Sequence, residues 1–417
     1  MKNFLSPAYY GTAVLLLLLL PARLLAYYAV EGDDYLVDLR GSFSAGAGYA
    51  LYPEDNFIYD DREEVLWNSD LRLLFETVVG NHFRAEANII QNVRSTPFFV
   101  LPGSRTAQQE VERSSVFFWQ QHDTDNTQAS LALDSGNFSF GNESDELLVG
   151  RQPINLSVTF YFTPNDFFAP FAPQNFYREY KPGVDAIRYE RRLADLTQLT
   201  VIGVLGYDED PEPDSGWSRA PNWQRTTLLG RITHIAGDFE LGFLGGTLPD
   251  YTILGASLQG DMLQWLGIRA ECHYRDTWKN DLQDGLSLSV GFEHRFSGSL
   301  IARLEQMHNG TGYSSIGEAD KAVIEGTLRS GYLGRDYTAV NISYEFTPLL
   351  NGEFLYLHNW TDYSHSFSFY GLYSLSDESE LALNLSFPVA EEPDRHSLNS
   401  EFGVMPSRIT LEYRLYF

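Results

Sequence analysis

The chain has 417 residues, with 29 Lys and Arg against 56 Asp and Glu, so its formal net charge is −27. This acidic balance argues against a nucleic-acid partner, which requires a basic surface. The single cysteine, Cys272, excludes an intramolecular disulfide, a cysteine-based metal site and a Cys-x-x-Cys-His haem attachment, so the sequence predicts no cofactor and no metal centre.

The N-terminus has the pattern of a secretory signal peptide. Lys2 supplies a positive charge, an apolar run over 13–20 ends at Pro21, and Ala26 provides a small residue for cleavage. We therefore predict a signal peptide over 1–26. Beyond residue 30, no apolar run reaches the length of about 18 residues that a membrane-spanning helix needs. If the exported part crosses a membrane, it must do so with strands.

Alternation of apolar and polar residues runs through the mature chain. Leu266, Ile268, Ala270, Cys272 and Tyr274 alternate strictly with charged or small residues, which is the period of a β-strand. A soluble sandwich with this pattern would have to bury the charged face or expose the apolar face to water. The same pattern suits a strand of a membrane barrel, whose apolar face meets lipid and whose charged face meets a water-filled lumen. The same pattern recurs at 67–76, 83–89, 286–295, 381–387 and 409–417.

The connections between these segments alternate in length, which is typical of a transmembrane antiparallel up-and-down β-barrel. We predict about 18 strands, with 16 as the alternative, in one barrel over 27–417 with long extracellular loops. Both termini then lie at the rim with short turns, the periplasmic rim. The predicted short turns are 80–81, 134–137, 194–195, 236–238, 297–299, 347–352 and 376–380, and the long links are 51–63, 94–127, 153–182, 208–222, 310–334 and 388–406.

Aromatic residues near the predicted strand ends favour girdles at the two membrane interfaces. This set contains Tyr35, Trp67, Phe83, Phe296, Tyr337, Trp360 and Tyr416. The chain also ends on an aromatic residue, Phe417, which resembles the C-terminal signature that the barrel-assembly machinery reads in bacterial outer-membrane proteins. The predicted partners are therefore outer-membrane lipid and that machinery.

Strand parity predicts which side chains line the lumen, and basic residues outnumber acidic ones among them. A positive lining would favour anionic solutes. The alternative is that arginines and glutamates pair across strands and leave little selectivity. The predicted lining residues are Arg72, Arg84, Arg151, Arg188, Arg192, Arg231, Arg269, Glu271, His273, Arg275, Arg295 and Arg303.

The segment after Val149 carries the most distinctive motifs, Gly150–Gln152, Pro164–Asp166 and Pro182–Ala186. This series of Gly-Arg-Gln, Pro-x-Asp and Pro-Gly-Val-Asp-Ala resembles a family of uncharacterised outer-membrane porin-like barrels and, more distantly, alginate-export barrels. The resemblance implies a porin-type fold and function. The prolines and aromatic rings between the motifs predict a stiff loop over 153–182 that folds into the lumen and narrows it, or else packs on the outer rim.

The sequence predicts a porin-like channel of the bacterial outer membrane for passive, weakly selective diffusion of small hydrophilic solutes. An energy-coupled transporter would need 22 strands and a plug domain, for which the chain has no room. The alternative is a barrel that sheathes a partner such as a multihaem cytochrome. The nine histidines are scattered and no nucleophile motif accompanies them, so the sequence predicts no enzyme and no catalytic residue.

The terminal aromatic residue provides a test. Deleting Phe417 or changing it to Lys should impair assembly, because the outward row of the last strand would lose its aromatic end and the recognition signal. The heat-dependent shift in electrophoretic mobility that marks folded barrels measures the assembled fraction. Wild-type assembly of both variants would contradict the role of Phe417.

Overall fold

The computed structural model describes residues 28–54, 62–95, 111–124, 127–210, 215–262, 265–279, 283–325 and 331–417. The predicted signal peptide over 1–26 lies outside them. The strands in chain order are β1 (Tyr28–Glu31), β2 (Tyr35–Leu51), β3 (Glu63–Val79), β4 (Phe83–Ser95), β5 (Phe118–Thr124), β6 (Thr127–Gly141), β7 (Asp145–Gln152), β8 (Val184–Ala194), β9 (Thr197–Val204), β10 (Tyr207–Glu209), β11 (Trp217–Pro221), β12 (Thr227–Ala236), β13 (Phe239–Leu248), β14 (Tyr251–Met262), β15 (Leu266–Thr277), β16 (Gly285–Arg295), β17 (Ile301–Asn309), β18 (Asp336–Thr347), β19 (Leu350–Asn359), β20 (His365–Ser376), β21 (Ser379–Val389) and β22 (Ser407–Tyr416).

The strands form a closed antiparallel barrel. Twenty of them belong to one sheet, and removing the two short additions β1 and β5 leaves 20 − 2 = 18 wall strands. Each wall strand pairs with its chain neighbours, and pairing of β2 with β22 closes the circle. The predicted all-β barrel of 18 strands is confirmed. The remaining hairpin, β10 with β11, lies in a long connection.

The closing seam is paired to its end. The Gly41 amide of β2 donates to the Phe417 carbonyl at 2.6 Å, and the Phe417 amide donates to the Gly41 carbonyl at 2.9 Å. A β-carbon at Gly41 would lie 2.3 Å from the Phe417 ring, so only glycine fits beneath that ring. Beyond it, β1 pairs with residues 36–39 on the same edge of β2. The first wall strand therefore leaves no long edge exposed.

The two faces of the wall have the predicted parity. Outward side chains such as Leu254, Phe243 and Tyr274 are 74%, 61% and 49% exposed. Cys272 lies in this outward row, paired with Leu288 of the next strand. Its neighbours in sequence, Glu271 and His273, point inward and are buried. The apolar outer surface is the one that a barrel presents to lipid.

Within the ranges that the structure describes, one α-helix accompanies the strands, α1 (Ile316–Ile324), in the connection between β17 and β18. Ser315 caps it by accepting a hydrogen bond from the Glu318 amide. Among the described residues, no helix has the length and apolar character needed to cross a bilayer.

The predicted turn at 134–137 is wrong. Strand β6 runs straight through this region, and the shift in its pairing with β4 makes Asp134 an extra residue, a β-bulge. The turn comes later, at 142–144. The Asp-Ser-Gly-Asn sequence suits a turn, but Asp134 is buried and accepts hydrogen bonds from Arg72 at 2.7 Å and Arg113 at 3.1 Å. These ion pairs hold it inside the wall.

The predicted girdle needs one further correction. Tyr337 is fully buried and belongs to an inward apolar cluster with Phe162. Trp67 and Trp360, by contrast, are 38% and 51% exposed, as interfacial residues should be. Tyr337 is the second residue of β18 and its side chain points toward the lumen, which residue type alone does not reveal.

The parity can be tested by labelling. Cys272 should react poorly with a water-soluble maleimide in intact membranes, because its outward row faces lipid. In a Cys272→Ser background, Ser44→Cys should react well, because Ser44 lies on the inward face of β2 and is half-buried. Mass spectrometry of the labelled protein measures both rates. Faster labelling of Cys272 than of the Ser44→Cys variant would contradict the assignment of faces.

Candidate functional site in the lumen

The connection between β7 and β8 folds into the lumen. We call residues 153–183 the lumen segment. Its two ends are adjacent, since Gln152 pairs with Val184. Between these ends the segment contacts inward-facing side chains of strands on distant parts of the wall, including β15, β17, β20 and β22. The segment has no strand or helix of its own, so its backbone groups need other partners.

The Glu305 carboxylate of β17 supplies one set of partners. It accepts hydrogen bonds from the backbone amides of Phe160 at 2.7 Å, Tyr161 at 3.1 Å and Phe162 at 2.6 Å. Glu305 is completely buried. A β-carbon at Gly291 would lie 3.0 Å from the Phe160 ring and 3.1 Å from the carboxylate, so a glycine on the neighbouring strand gives the segment room to approach.

The Glu271 carboxylate of β15 supplies a second set. It accepts hydrogen bonds from the amides of Val158 at 2.5 Å and Asn165 at 2.9 Å, and from the Ser157 hydroxyl at 2.7 Å. Only 1% of Glu271 is exposed. Its neighbour His273 contacts the Asn165 side chain at 3.2 Å. Two inward carboxylates therefore accept hydrogen bonds from backbone amides that would otherwise be buried without acceptors.

Apolar contacts reinforce these anchors at two inward patches. Ile154, Leu156 and Phe168 of the lumen segment pack in a cluster with side chains of β8, β9 and β12–β14. Tyr161 and Phe162 pack in a second cluster with side chains of β17–β19. The wall residues are Val184, Ala186, Ile202, Val204, Leu229, Leu244, Leu248 and Ile253 in the first patch and Met307, Tyr337, Ala339, Leu355 and Leu357 in the second. Here the barrel has a core in the manner of a soluble protein.

The second half of the segment rests on aromatic stacking. Phe176 stacks on Tyr370 of β20 with ring centroids 5.0 Å apart. The guanidinium of Arg414 lies 3.9 Å from the Tyr177 ring, and that of Arg72 lies 4.4 Å from the Tyr180 ring. Cation–π contacts of this kind fix the orientation of the tyrosine rings and place them over the guanidinium groups of the wall arginines.

The segment also braces itself. Arg178 donates to the carbonyls of Asn175 at 2.8 Å and Pro173 at 3.1 Å, and to that of Phe160. Lys181 forms an ion pair with Asp166. Burial raises the pKa of Asp166, and the Lys181 ammonium opposes that shift. These contacts join the outgoing and returning halves into one unit.

The lumen segment covers one side of the wall more than the other. Inward side chains of β15–β19 such as Ser289, Glu305 and Asn341 are completely buried. Inward side chains of β3 and β4, such as Asp70 and Asn88, remain half-buried. The less covered side is lined by polar residues of β2–β4 and β22.

Most of the arginines predicted to line the lumen have carboxylate partners. Arg303 pairs with Glu293 at 2.7 Å, and Arg188 pairs with Glu190 at 3.2 Å on the same strand. The other such pairs are Arg72–Asp134, Arg84–Glu76, Arg231–Glu240 and Arg295–Glu293, at 2.7, 3.0, 3.6 and 3.0 Å. The inward charges thus form short ladders of opposite sign, the alternative to an unbalanced positive lining.

Three further arginines of the predicted lining have contacts of another kind. Arg269 donates to the Val158 carbonyl at 3.0 Å and stacks on Phe160. Arg275 donates to the Gln283 carbonyl at 3.2 Å. Arg192 is exposed near the turn between β8 and β9.

Arg151 lies within the wall. It donates to Asp185 at 2.8 Å and to the carbonyls of Leu133 and Ser114 at 3.0 and 2.8 Å, and only 3% of it is exposed. These contacts tie β6, β7 and β8 together where the chain leaves the wall. The Gly-Arg-Gln motif therefore has a structural role at the start of the lumen segment.

A recess of about 200 Å³ lies between the lumen segment and the wall of β8, β9, β12 and β13. Asn155, Arg188, Glu190, Arg231 and Glu240 border it. It contains both signs of charge. In the part of the chain that the structure describes, no group of three or more His, Cys, Asp or Glu side chains is placed to hold a metal ion.

Comparison with solved structures finds barrels of the same kind. OccAB3 of Acinetobacter baumannii aligns over 91% of this chain and 99% of its own, with 13% identity and a TM-score of 0.56. OccK11 (OpdR) of Pseudomonas aeruginosa aligns over 91% and 96%, with 12% identity and a TM-score of 0.54. OccD3 (OpdP) of the same organism aligns over 95% and 98%, with 10% identity and a TM-score of 0.54.

The chain shares their fold. No protein-family model matches the sequence, and a search of curated protein sequences finds no match. A closed 18-stranded barrel with an apolar outer surface and short turns at one rim is the architecture of bacterial outer-membrane proteins. The bacterial outer membrane is therefore the location of this protein.

Strand parity alone did not predict the two inward apolar patches, although the sequence carries a signal for them. Val201–Leu205 and Glu353–His358 contain apolar residues at both parities, which is typical of strands covered on both faces. Such strands need an apolar partner in the lumen. The Pro-rich and aromatic segment at 153–183 is the long link with the composition to supply it.

The Glu305 anchor provides a test. Glu305→Leu should loosen the lumen segment, because each buried amide left without an acceptor costs about 1–3 kcal/mol. Hydrogen–deuterium exchange of peptides over 157–166 should then accelerate on the order of tenfold to a hundredfold. Glu305→Gln keeps one acceptor oxygen and should have a smaller effect. Unchanged exchange in the Leu variant of a folded barrel would contradict the anchoring role.

Proposed function

We propose that this protein is an outer-membrane channel for passive, weakly selective diffusion of small hydrophilic solutes, and that the lumen segment forms its constriction. The observation that carries the proposal is the attachment of residues 153–183 to inward side chains around the wall. A segment held at so many points narrows the lumen, as a size filter requires.

The solute path is proposed to run along β2–β4 and β22. Inward residues there are polar and half-buried, for example Asn68, Asp70, Asn92 and Glu412. On the opposite side the lumen segment buries the wall against its own apolar side chains. Tyr177 and Tyr180, which stack on wall arginines, form the edge of the segment next to this path.

The paired charges support weak selectivity. An arginine next to a carboxylate presents a dipole to a passing ion, and its field falls off faster than that of an isolated charge. A preference for anions then rests on the arginines whose contacts are with backbone or solvent, chiefly Arg269 and Arg192. We propose a modest anion preference on this basis.

The sheath alternative is less compatible with this geometry. A barrel that wraps a protein partner needs a clear lumen, whereas here the lumen segment occupies it and is anchored by buried groups. We also propose that the protein is not an enzyme, since the contacts of the lumen residues are those of anchors and ladders. Ion conductance of the isolated barrel distinguishes a channel from a sheath that depends on its partner.

Replacing residues 153–183 by an Asn-Gly turn tests the constriction. The join is short enough because Gln152 and Val184 are already paired. Single-channel conductance in planar bilayers should rise several-fold, while wild-type protein should give a smaller conductance and a reversal potential close to zero in a salt gradient. Heat-modifiable mobility checks that the variant is folded. Equal conductance of the two folded barrels, or strong ion selectivity of the wild type, would reject this proposal.

A further inference from the structure

Three connections at the rim opposite the short turns pack together into one body above β17–β22. They join β17 to β18, β19 to β20, and β21 to β22. We call this body the cap and define it as residues 310–325, 331–335, 360–364 and 390–406. Helix α1 belongs to it and contributes to its small apolar core, which includes Tyr313, Ala319, Val323, Leu333, Leu398 and Val404. The backbone amide of Leu398 also donates to Asp320 of α1 at 2.6 Å. The connections therefore act as a unit.

A single carboxylate joins the parts of this unit. Glu401 is 3% exposed and accepts hydrogen bonds from the Tyr337 hydroxyl at 2.5 Å and the Asn359 amide at 2.7 Å, at the upper ends of β18 and β19. It also accepts hydrogen bonds from the backbone amides of Leu333 at 3.3 Å and Gly334 at 3.4 Å. One side chain of the β21–β22 connection thus holds the β17–β18 connection and two strand ends.

Tyr337 extends this junction into the lumen. Its ring centroid lies 5.8 Å from that of Phe162 and 5.4 Å from that of Tyr332. Phe402, next to Glu401 in sequence, belongs to the same buried cluster. The Phe162 amide in turn donates to Glu305. A continuous set of buried contacts therefore runs from the cap to the lumen segment.

We propose that Glu401 is a latch that keeps the cap closed over this side of the mouth and, through Tyr337 and Phe162, keeps the lumen segment in its constricting position. Loss of the latch frees the cap and widens the path. The proposal rests on the function of the lumen segment as the constriction, and it adds a control element at the outer mouth.

The latch should respond to pH. The titratable groups that face Glu401 are Tyr337 and Asp362, whose carboxylate accepts the Glu401 backbone amide at 2.7 Å. Asp320 and Arg335 belong to the elements packed nearby, where they bond the Leu398 amide and the Gly312 carbonyl. Burial, together with the Asp362 charge, raises the pKa of Glu401 to about 7, although the Tyr337 hydroxyl opposes this shift.

Acid should favour the closed cap. A carboxyl whose pKa is higher in the closed cap than in water takes up a proton more readily when the cap is closed, so acid favours the closed form. The closed form loses stability as pH rises from about 4.5 to about 7 and loses no more above that range. The shift in the closed-to-open ratio is at most roughly 300-fold over this window.

Single-channel recording between pH 5 and 8.5 tests the latch. Wild-type channels should show little high-conductance state at pH 5, more of it by pH 7, and no further increase above. Glu401→Gln, which keeps an acceptor oxygen and cannot ionise, should stay at the low-conductance level throughout. Glu391→Gln neutralises an exposed carboxylate of the cap and should behave like wild type.

A second variant does not depend on ionisation. Tyr337→Phe keeps the ring on Phe162 and removes the hydroxyl that Glu401 accepts, so it should raise the high-conductance fraction at pH 5 severalfold. Wild-type conductance that is constant with pH, or an unchanged pH response in folded Glu401→Gln, would overturn the latch. If replacement of the lumen segment enlarges the pore but these variants have no effect, the channel proposal stands and the latch fails.

Discussion

The structure depends on how an irregular segment inside a barrel finds hydrogen-bond partners for its backbone amides. Residues 157–165 have no ladder to join, and their amides lie away from bulk water, so they need acceptors from the wall. Glu271 and Glu305 supply these acceptors, and their positions on the inward faces of β15 and β17 set the path of the segment. A carboxylate suits this role because its two oxygens accept several donors at once, and the charge strengthens each bond.

This arrangement explains why the wall is not uniform. A barrel that enclosed only water would need polar side chains at every inward position. Here the strands opposite the less covered side carry Ile202, Leu229, Leu355 and Leu357 inward, where the lumen segment removes them from water. The stability of the segment and the asymmetry of the lumen therefore have one cause. Water, and the solutes of the proposed channel, are left with the side of the lumen that the segment does not cover.

The sequence allowed the strands, their faces and the closed barrel to be predicted, because lipid outside and water inside impose alternation on every strand. It predicted the inward arginines but not their partners. Glu305 and the amides that donate hydrogen bonds to it are separated by as many as 145 residues in sequence, and no local pattern predicts such a contact. Asp134 and Tyr337 were misassigned for a related reason: an ion pair inside the wall and a ring over the lumen segment override what the residue type favours locally.

The distribution of charge shows why net charge is a poor guide to selectivity. The total of −27 includes acidic residues of the exposed connections, such as Glu391 and Glu392, where salt screens charges beyond about 8 Å at physiological ionic strength. Inside, Arg188–Glu190 and Arg303–Glu293 cancel within a few ångströms. An ion in the lumen therefore senses the few groups next to it. In the proposed channel, the acidic residues of the exposed connections concentrate cations without deciding which ion passes, since that depends on the residues beside the proposed constriction.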